Sequence, residues 1–221
     1  MQAVILAAGK GIRMGEATKN FPKVLLLYKN KTLLRWKLDA LPDNIDEVTI
    51  VVGHGGDLIK NAVSGAHNGK RITFVEENEA RGTGFALWKT KEVLGERFLV
   101  LMGDDIYSPE SIREATKYPW SITVKKVNRD DNSSRVLLDD NAKFIDFVTA
   151  DKYRELKSGG GFAFTGLYSL EKAIFKHPLA KMKTKDEWGL PQTLVQIAPD
   201  INLRILETNF WIPISTPSDL I

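Results

Sequence analysis

A three-layer α/β/α sandwich with a mixed, mainly parallel sheet is the fold predicted by this 221-residue sequence. Three observations carry that expectation. Short, wholly apolar runs recur in the first half of the chain, as in strands covered on both faces. Segments with helical apolar spacing follow them, the β-loop-α rhythm of a parallel sheet. Beyond residue 120 the runs shorten and Asp-Asn turns appear between them, which points to antiparallel additions.

Residues 3–6 are the first apolar run, ahead of a charged loop containing Gly9, Gly11 and Gly15. Leu33, Leu34, Trp36, Leu38 and Leu41 have helical spacing, and Pro42 stops that helix. Residues 48–52 form a second strand closed by Gly53, and Leu58, Ile59, Ala62 and Val63 suit the helix after it. Residues 72–75 are a third strand, 82–93 a helix entered through Gly-Thr-Gly, and 98–102 a fourth strand ending at Gly103. Strands over 122–127, 134–138 and 144–148 follow, turning at Asp131-Asn132 and Asp140-Asn141. Gly159-Gly160-Gly161 breaks the chain before a strand over 162–168, and 190–197 reads as a helix. No repeat or long linker divides the chain. Residues 1–221 are therefore expected to be one domain, with 121–221 elaborating the sheet begun in 1–120.

The composition is that of an ordinary globular protein, 43% hydrophobic and 27% charged. A net charge of +3 with interspersed signs gives no tract for nucleic acid or membrane, although a few cations in one cleft would suit a phosphate-bearing substrate. Cysteine is absent, which excludes disulfides and thiolate metal sites and fits a cytoplasmic protein. The opening residues do not read as a signal peptide. No apolar run approaches the roughly 20 residues that span a bilayer.

The chemistry starts at Ala3-Val-Ile-Leu-Ala-Ala-Gly-Lys-Gly-Ile-Arg-Met14, followed by Phe21-Pro-Lys23. A glycine-rich loop directly after a buried strand lies at the strand's carboxyl end, where open α/β sheets bind ligands. Glycine lets backbone N–H groups approach phosphate oxygens, and Arg13 and Lys23 add cations for a triphosphate. Spacing alone fits a plain surface loop equally well. A dinucleotide fingerprint is excluded because Met14 holds its third glycine position and no acidic residue ends the second strand. A P-loop is excluded because Gly65 and Gly69 are one residue too close and Lys70 is followed by Arg71. His54, His67 and His177 have no partner at metal-ligand spacing and read as turn or surface residues, while Trp36 and Trp88 read as core.

Leu6-Ala-Ala-Gly-Lys-Gly-Ile-Arg-Met14 with Pro22-Lys23 resembles the signature of the sugar-1-phosphate nucleotidyltransferase family, which includes nucleotide-sugar pyrophosphorylases and related polyol-phosphate cytidylyltransferases. Further resemblances follow in order: Val51-Val-Gly-His54, Gly82-Thr-Gly-Phe-Ala-Leu87, Leu101-Met-Gly-Asp-Asp105, Phe162-Ala-Phe-Thr-Gly-Leu-Tyr168 and Trp211-Ile-Pro-Ile-Ser-Thr-Pro-Ser-Asp219. The resemblance implies a Rossmann-like nucleotidyltransferase fold, with a nucleotide-binding half in 1–120 and an acceptor-binding half in 121–221. It implies that an NTP and a phosphorylated small-molecule acceptor are the partners, that Mg²⁺ is the cofactor, and that neither nucleic acid nor membrane is involved. Homo-oligomerisation stays open.

Carried onto this chain, the resemblance assigns Leu6, Ala7, Ala8, Gly9, Lys10 and Gly11 to the nucleotide, together with the Gly82-Thr83 turn. Arg13 and Lys23 would stabilise charge as pyrophosphate leaves, and Asp104 would bind Mg²⁺. Glu187 and Gly161 would line the acceptor pocket. Arg13 and Lys23 are expected in a polar loop whose mutation spares folding. Displacement at an α-phosphorus needs alignment and cations rather than a protein nucleophile, which agrees with these roles. Asp104 has a second reading, as a helix N-cap for the segment starting near Ser108, and Asp105 is read either as a water-mediated metal partner or as a solvated residue. Trp188, beside Glu187, is read either as pocket or as packing. Glu77 stands where uridylyl- and thymidylyltransferases commonly carry a base-contacting glutamine, with Glu76 as the alternative residue pointing inward. A carboxylate only accepts hydrogen bonds, which favours the amino group of cytosine over uracil O4.

Three departures stand against the family pattern. Pro213 occupies the place of a second metal-binding aspartate. The family's Glu-Lys pair, whose lysine meets the acceptor phosphate, is absent near Thr149-Ala150, leaving Lys152, Lys125 or Lys126 as substitutes. The chain stops at Ile221, where the family usually continues into a last helix, as in a trimmed or minimal form. Pro213 favours a rival reading, a catalytically weak or inactive nucleotide-sensing protein on the same fold. A dinucleotide-dependent oxidoreductase is disfavoured by Met14.

Overall fold

The computed structural model describes residues 1–63, 65–183 and 185–221. Its strands, in chain order, are β1 (Gln2–Ala7), β2 (Leu27–Tyr28), β3 (Lys31–Thr32), β4 (Glu47–Val52), β5 (Ala66–His67), β6 (Lys70–Glu76) and β7 (Arg97–Met102). Then come β8 (Asp105–Tyr107), β9 (Ser121–Lys126), β10 (Arg135–Leu138), β11 (Phe144–Val148), β12 (Phe162–Glu171), β13 (Arg204–Glu207) and β14 (Trp211–Pro213). The α-helices are α1 (Leu33–Ala40), α2 (Gly56–Ala62), α3 (Thr83–Trp88), α4 (Pro109–Ala115), α5 (Ala150–Leu156) and α6 (Leu190–Ile197).

Strands β7, β1, β4 and β6 lie side by side and run parallel. They are the apolar runs of the sequence, and Val4, Ile5, Val48, Ile50, Leu99 and Val100 are fully buried. Strand side chains alternate between faces, which sorts these residues into two cores. Ile5, Ile50, Leu99 and Leu101 pack with Leu34, Leu38 and Ile112 from α1 and α4. Val4, Phe98 and Val100 pack on the other face with Leu87, Leu190 and Leu194 from α3 and α6. Helices therefore cover both faces, as expected. Among the described residues, no helix is long and apolar enough to cross a membrane.

Strand β12 brings the second half of the chain into the same sheet. It runs antiparallel to β7 along one edge and antiparallel to β9 along the other. Strands β10 and β11 extend the sheet from β12, and β13 pairs parallel with β9. Among the described residues ten strands result, in a mixed sheet with a parallel centre. Outside it, β14 pairs antiparallel with β8, with Pro213 opposite Asp105.

Local chemistry sets the element boundaries. Thr32 caps α1 by accepting from Arg35 N at 3.1 Å. Ser108 caps α4 by accepting from Ser111 N at 3.1 Å, with Pro109 at the first helical position. The cap of α4 is thus Ser108 and not Asp104. The helix read over 82–93 is shorter than its apolar pattern: α3 ends at Trp88, and the Thr90 hydroxyl donates to Leu87 O at 2.6 Å, closing the turn. His67 also differs from its surface reading. It is buried, with Nε2 2.7 Å from Asp39 Oδ1.

Candidate active site

The carboxyl ends of β1, β4, β6 and β7 converge. Leu6, Ala7 and Ala8 end β1 in the core, and the chain emerges at exposed Gly9 and Lys10. Gly11 turns the loop back with φ +63°, a conformation that glycine adopts without a Cβ penalty. A Cβ there would lie 3.1 Å from Thr18 Cγ2 and 3.2 Å from Lys23 Cβ, so the loop seats directly against Lys23. Thr18 Oγ1 and Met14 N both donate to Gly11 O, at 2.9 and 2.8 Å. Gly9 has open space around it, which leaves the loop backbone approachable.

Lys23 is only 7% exposed, so it does not lie in the polar loop that the sequence suggests. Pro22 fixes the extended backbone before it, and Lys23 opens a short 3₁₀ turn. Its Nζ donates to Asp104 Oδ2 at 2.7 Å. Asp104 follows β7 and Gly103, whose close approach to Leu6 O excludes any side chain. Arg13, by contrast, is exposed and touches neither Lys23 nor Asp104.

Behind this pair lies a cluster that sequence reasoning missed. Lys37 of α1 is 1% exposed, and its ammonium donates to Leu33 O at 3.0 Å. Burial lowers its pKa from 10.5 to about 8, against the pull of the Asp105 and Asp104 charges. Asp105 keeps some accessible surface, but its carboxylate points inward, where Tyr107 Oη lies 3.4 Å from Oδ2. Burial, followed by the neighbouring charge of Asp104, pushes the Asp105 carboxyl well above the usual carboxylate range. Burial also raises the Tyr107 phenol. The signal for Lys37 was present: it occupies an inward position of the Leu34, Leu38, Leu41 stripe.

Glu77 is 3% exposed, at the end of β6. Its Oε1 accepts from Glu79 N at 2.7 Å and Ala80 N at 2.9 Å, while Oε2 makes no hydrogen bond among the described residues. Gly82, at φ +100°, leads into Thr83, and the segment around Glu187 clamps that turn. Trp188 N donates to Arg81 O at 2.8 Å, Gly84 N to Trp188 O at 2.9 Å and Leu190 N to Thr83 Oγ1 at 3.1 Å. A Cβ on Gly82 would lie 3.1 Å from Glu187 Cβ, so the structure brings Glu187 against the Gly82-Thr83 turn. Trp188 packs, with the Arg81 guanidinium 4.1 Å from its ring centroid. Gly161 stands apart. It precedes β12, at φ +80°, with the Tyr153 ring against its backbone.

For a divalent cation the donor set is lean. Among the described residues, no group of three His, Asp or Glu side chains surrounds a common point. Pro213 lies opposite Asp105 and supplies no side-chain oxygen. Mg²⁺ commonly takes one or two carboxylates plus phosphate oxygens, so Asp104 with a bound triphosphate fits that chemistry. Far from this cluster, a groove of about 820 Å³ at the amino ends of β1 and β7 is lined by Met1, Asp46, Glu47 and Arg97. Asp46 accepts from Met1 N and Glu47 from Gln2, and we assign the groove no chemistry.

Comparison with known proteins decides the family. The profile of the MobA-like NTP transferase domain matches residues 3–118, over half of the chain. The chain belongs to this family. Among relatives of this MobA-like protein, the bifunctional protein GlmU of Methanocaldococcus jannaschii is 28% identical over 223 residues, covering 100% of this chain and 53% of its own. The UTP–glucose-1-phosphate uridylyltransferase AglF of Haloferax volcanii is 32% identical over 109 residues, 49% of this chain and 45% of its own. The chain thus spans about half the length of these relatives. In fold, the MobA-like chain matches a protein described as a glucose-1-phosphate thymidylyltransferase from Bacillus anthracis, with a TM-score of 0.81 at 23% identity, covering 100% and 92% of the two chains. It also matches the inositol-1-phosphate CTP transferase of T. maritima, with a TM-score of 0.77 at 19% identity, covering 100% and 91%. The nucleotidyltransferase fold and family read from the sequence are therefore borne out.

Proposed function

We propose that this chain joins an NTP, a pyrimidine one by preference, to a sugar-1-phosphate or a similar phosphorylated alcohol, releasing pyrophosphate. The observation that carries the reading is the Lys23–Asp104 pair, 2.7 Å apart, directly beneath the glycine loop at the carboxyl end of the parallel strands. Open α/β sheets bind ligands at that end. An oxygen of the acceptor phosphate attacks the α-phosphorus, the bond to the bridging oxygen of the β-phosphate breaks, and pyrophosphate carries away the electron pair. No proton need move to the protein. Loop backbone N–H groups between Ala8 and Gly11 face the phosphates, and Lys23 places an ammonium where negative charge grows. Arg13, free of any partner among the described residues, adds a second cation from the loop. Mg²⁺ held by Asp104 would neutralise phosphate oxygens and align them. Glu187 accepts from acceptor hydroxyls beside the Gly82-Thr83 turn. A cytoplasmic setting, where NTPs are made and used, goes with this reading.

The test is a pyrophosphate-release screen of CTP, UTP, dTTP and GTP against glucose 1-phosphate and inositol 1-phosphate, with and without Mg²⁺. Turnover that needs both substrates supports the proposal. Pro213 favours the second reading, a nucleotide-sensing protein without turnover, and nucleotide binding with no pyrophosphate released would decide for it.

A further inference from the structure

We propose that His54 is a positioning residue that fixes the glycine loop, and Arg13 with it, against the end of β4; its role in the reaction rests on the nucleotidyl-transfer reading above. Residues 9–20 form a long excursion between β1 and the turn that Lys23 opens, and only Met14 and Thr18 among them are buried. Met14 packs with Leu33, Ile106 and Ile214, which holds the middle of the loop. Thr18 holds its far end. The Thr18 hydroxyl donates to Gly11 O at 2.9 Å, and Thr18 O lies 3.0 Å from His54 Nε2. A carbonyl only accepts, so Nε2 carries the hydrogen and donates it. Among the described residues, this is the only hydrogen bond that joins residues 9–20 to another part of the chain.

The platform from which His54 reaches the loop is firmly seated. His54 follows β4, which is paired on both sides in the parallel centre of the sheet. A Cβ on Gly53 would lie 2.9 Å from Ala8 O, and one on Gly55, at φ +68°, would lie 2.8 Å from Pro22 Cδ. The chain enters the loop after Ala8 and leaves it before Pro22. The Gly53-His54-Gly55 turn therefore packs against both stems of the loop, and Gly56 N closes the turn by donating to Gly53 O at 2.9 Å. From Thr18 the contacts continue to Gly11, whose backbone seats against Lys23 Cβ. One imidazole thus ties the loop to the strand end beside which Lys23 lies. A loop ordered before the triphosphate arrives spares the cost of ordering it on binding. In this role His54 touches no phosphate and moves no proton.

The experiment uses the full chain, CTP and UTP as donors, glucose 1-phosphate and inositol 1-phosphate as acceptor probes, and amide hydrogen exchange of the protein without substrate. His54→Ala is expected to lower kcat/KM for the nucleotide by about three- to tenfold, the range of one hydrogen bond, with the acceptor KM within about twofold. Amides of residues 9–19 should exchange faster, while those of β4 keep their wild-type rates. His54→Gln should restore both readouts, because its side-chain amide N–H replaces the Nε2 donor. Unchanged kinetics with unchanged exchange overturn the assignment while nucleotidyl transfer stands. Equal losses toward nucleotide and acceptor, with faster exchange in β4 and no recovery in His54→Gln, also overturn it and leave His54 as a packing residue. A wild-type chain that releases no pyrophosphate removes the functional reading, and exchange alone then decides: faster loop exchange in His54→Ala that His54→Gln reverses upholds the positioning of the loop, and equal exchange overturns it.

Discussion

Lys37 gives the sharpest physical test of the buried cluster behind the candidate site. Burial lowers this amine from 10.5 to about 8, while Asp105 and Asp104 oppose the fall and Lys23 adds to it. A difference of that size corresponds to about 3 kcal/mol by which the folded protein disfavours the ammonium relative to water. In the unfolded chain the amine holds its proton up to about pH 10.5, and in the folded chain only to about pH 8. Between those values the unfolded state binds more protons, so stability rises with pH. The penalty is fully present below about pH 8 and gone near 10.5. Lys37→Met keeps the packed stem and removes the charge. Urea unfolding of both proteins at pH 7, 8, 9 and 10 follows the effect, because titrating groups that do not interact with Lys37 cancel in the difference. The stability advantage of Lys37→Met over wild type should shrink by up to about 3 kcal/mol across that range. A difference that stays constant would refute the claim that Lys37 is charged and buried at neutral pH.

Arg13→Ala should lower kcat by about 10²-fold with folding unchanged, because this exposed side chain has no structural partner among the described residues; wild-type kinetics would remove it from the mechanism. Lys23→Ala should lower kcat similarly but also destabilise the protein by about 1–3 kcal/mol, since the partly buried Asp104 carboxylate loses its partner, and a Tm equal to wild type would contradict that. Asp104→Asn should abolish most Mg²⁺-dependent turnover, whereas Pro213→Asp should tighten Mg²⁺ binding by titration calorimetry if that strand faces the ion. An unchanged titration in a folded Pro213→Asp places the residue away from it. Glu77→Gln should shift kcat/KM from CTP toward UTP, and a wild-type preference for UTP that the substitution leaves unchanged would reject the base-reading role of Oε2.

Strand positions in the parallel centre were legible because β1, β4 and β7 are covered on both faces, which forces unbroken apolar runs such as Ile-Val-Val at Ile50–Val52. The glycines were legible for a related reason. Gly53 and Gly103 sit where a Cβ would strike Glu77 O and Leu6 O, so their place at strand ends is a packing requirement. The end of α3 was not legible, because it depends on how Thr90 uses its hydroxyl and not on apolar period. Nor was the Lys23–Asp104 pair, which joins residues 81 positions apart and needs the β1–β7 register to form. Arg135 carries the same lesson: its burial depends on distant carbonyl partners, since it donates to Gly160 O at 2.9 Å and to Asp131 O at 2.7 Å.

The charges around β8 also bear on the missing carboxylate at position 213. Two acids, Asp104 and Asp105, already share the end of β7 with two ammonium groups, Lys23 and Lys37. A third acid opposite Asp105 in the β8–β14 ladder would set like charges directly across a strand pair, where they repel. Asp105 is already pushed toward its neutral form by burial and by Asp104. Pro213 relieves that crowding and leaves Asp104 as the acid that can exchange partners. On the proposed reaction, an arriving phosphate would take the place of the Asp104 carboxylate against Lys23, and Asp104 would be the residue left to hold a divalent cation, which would supply charge neutralisation. Lys23 then never stands unpaired in its buried seat, which is the costly state for an ion removed from water. On that proposal one ion pair would serve both folding and phosphate binding, and a residue only 7% exposed would still meet the reacting groups.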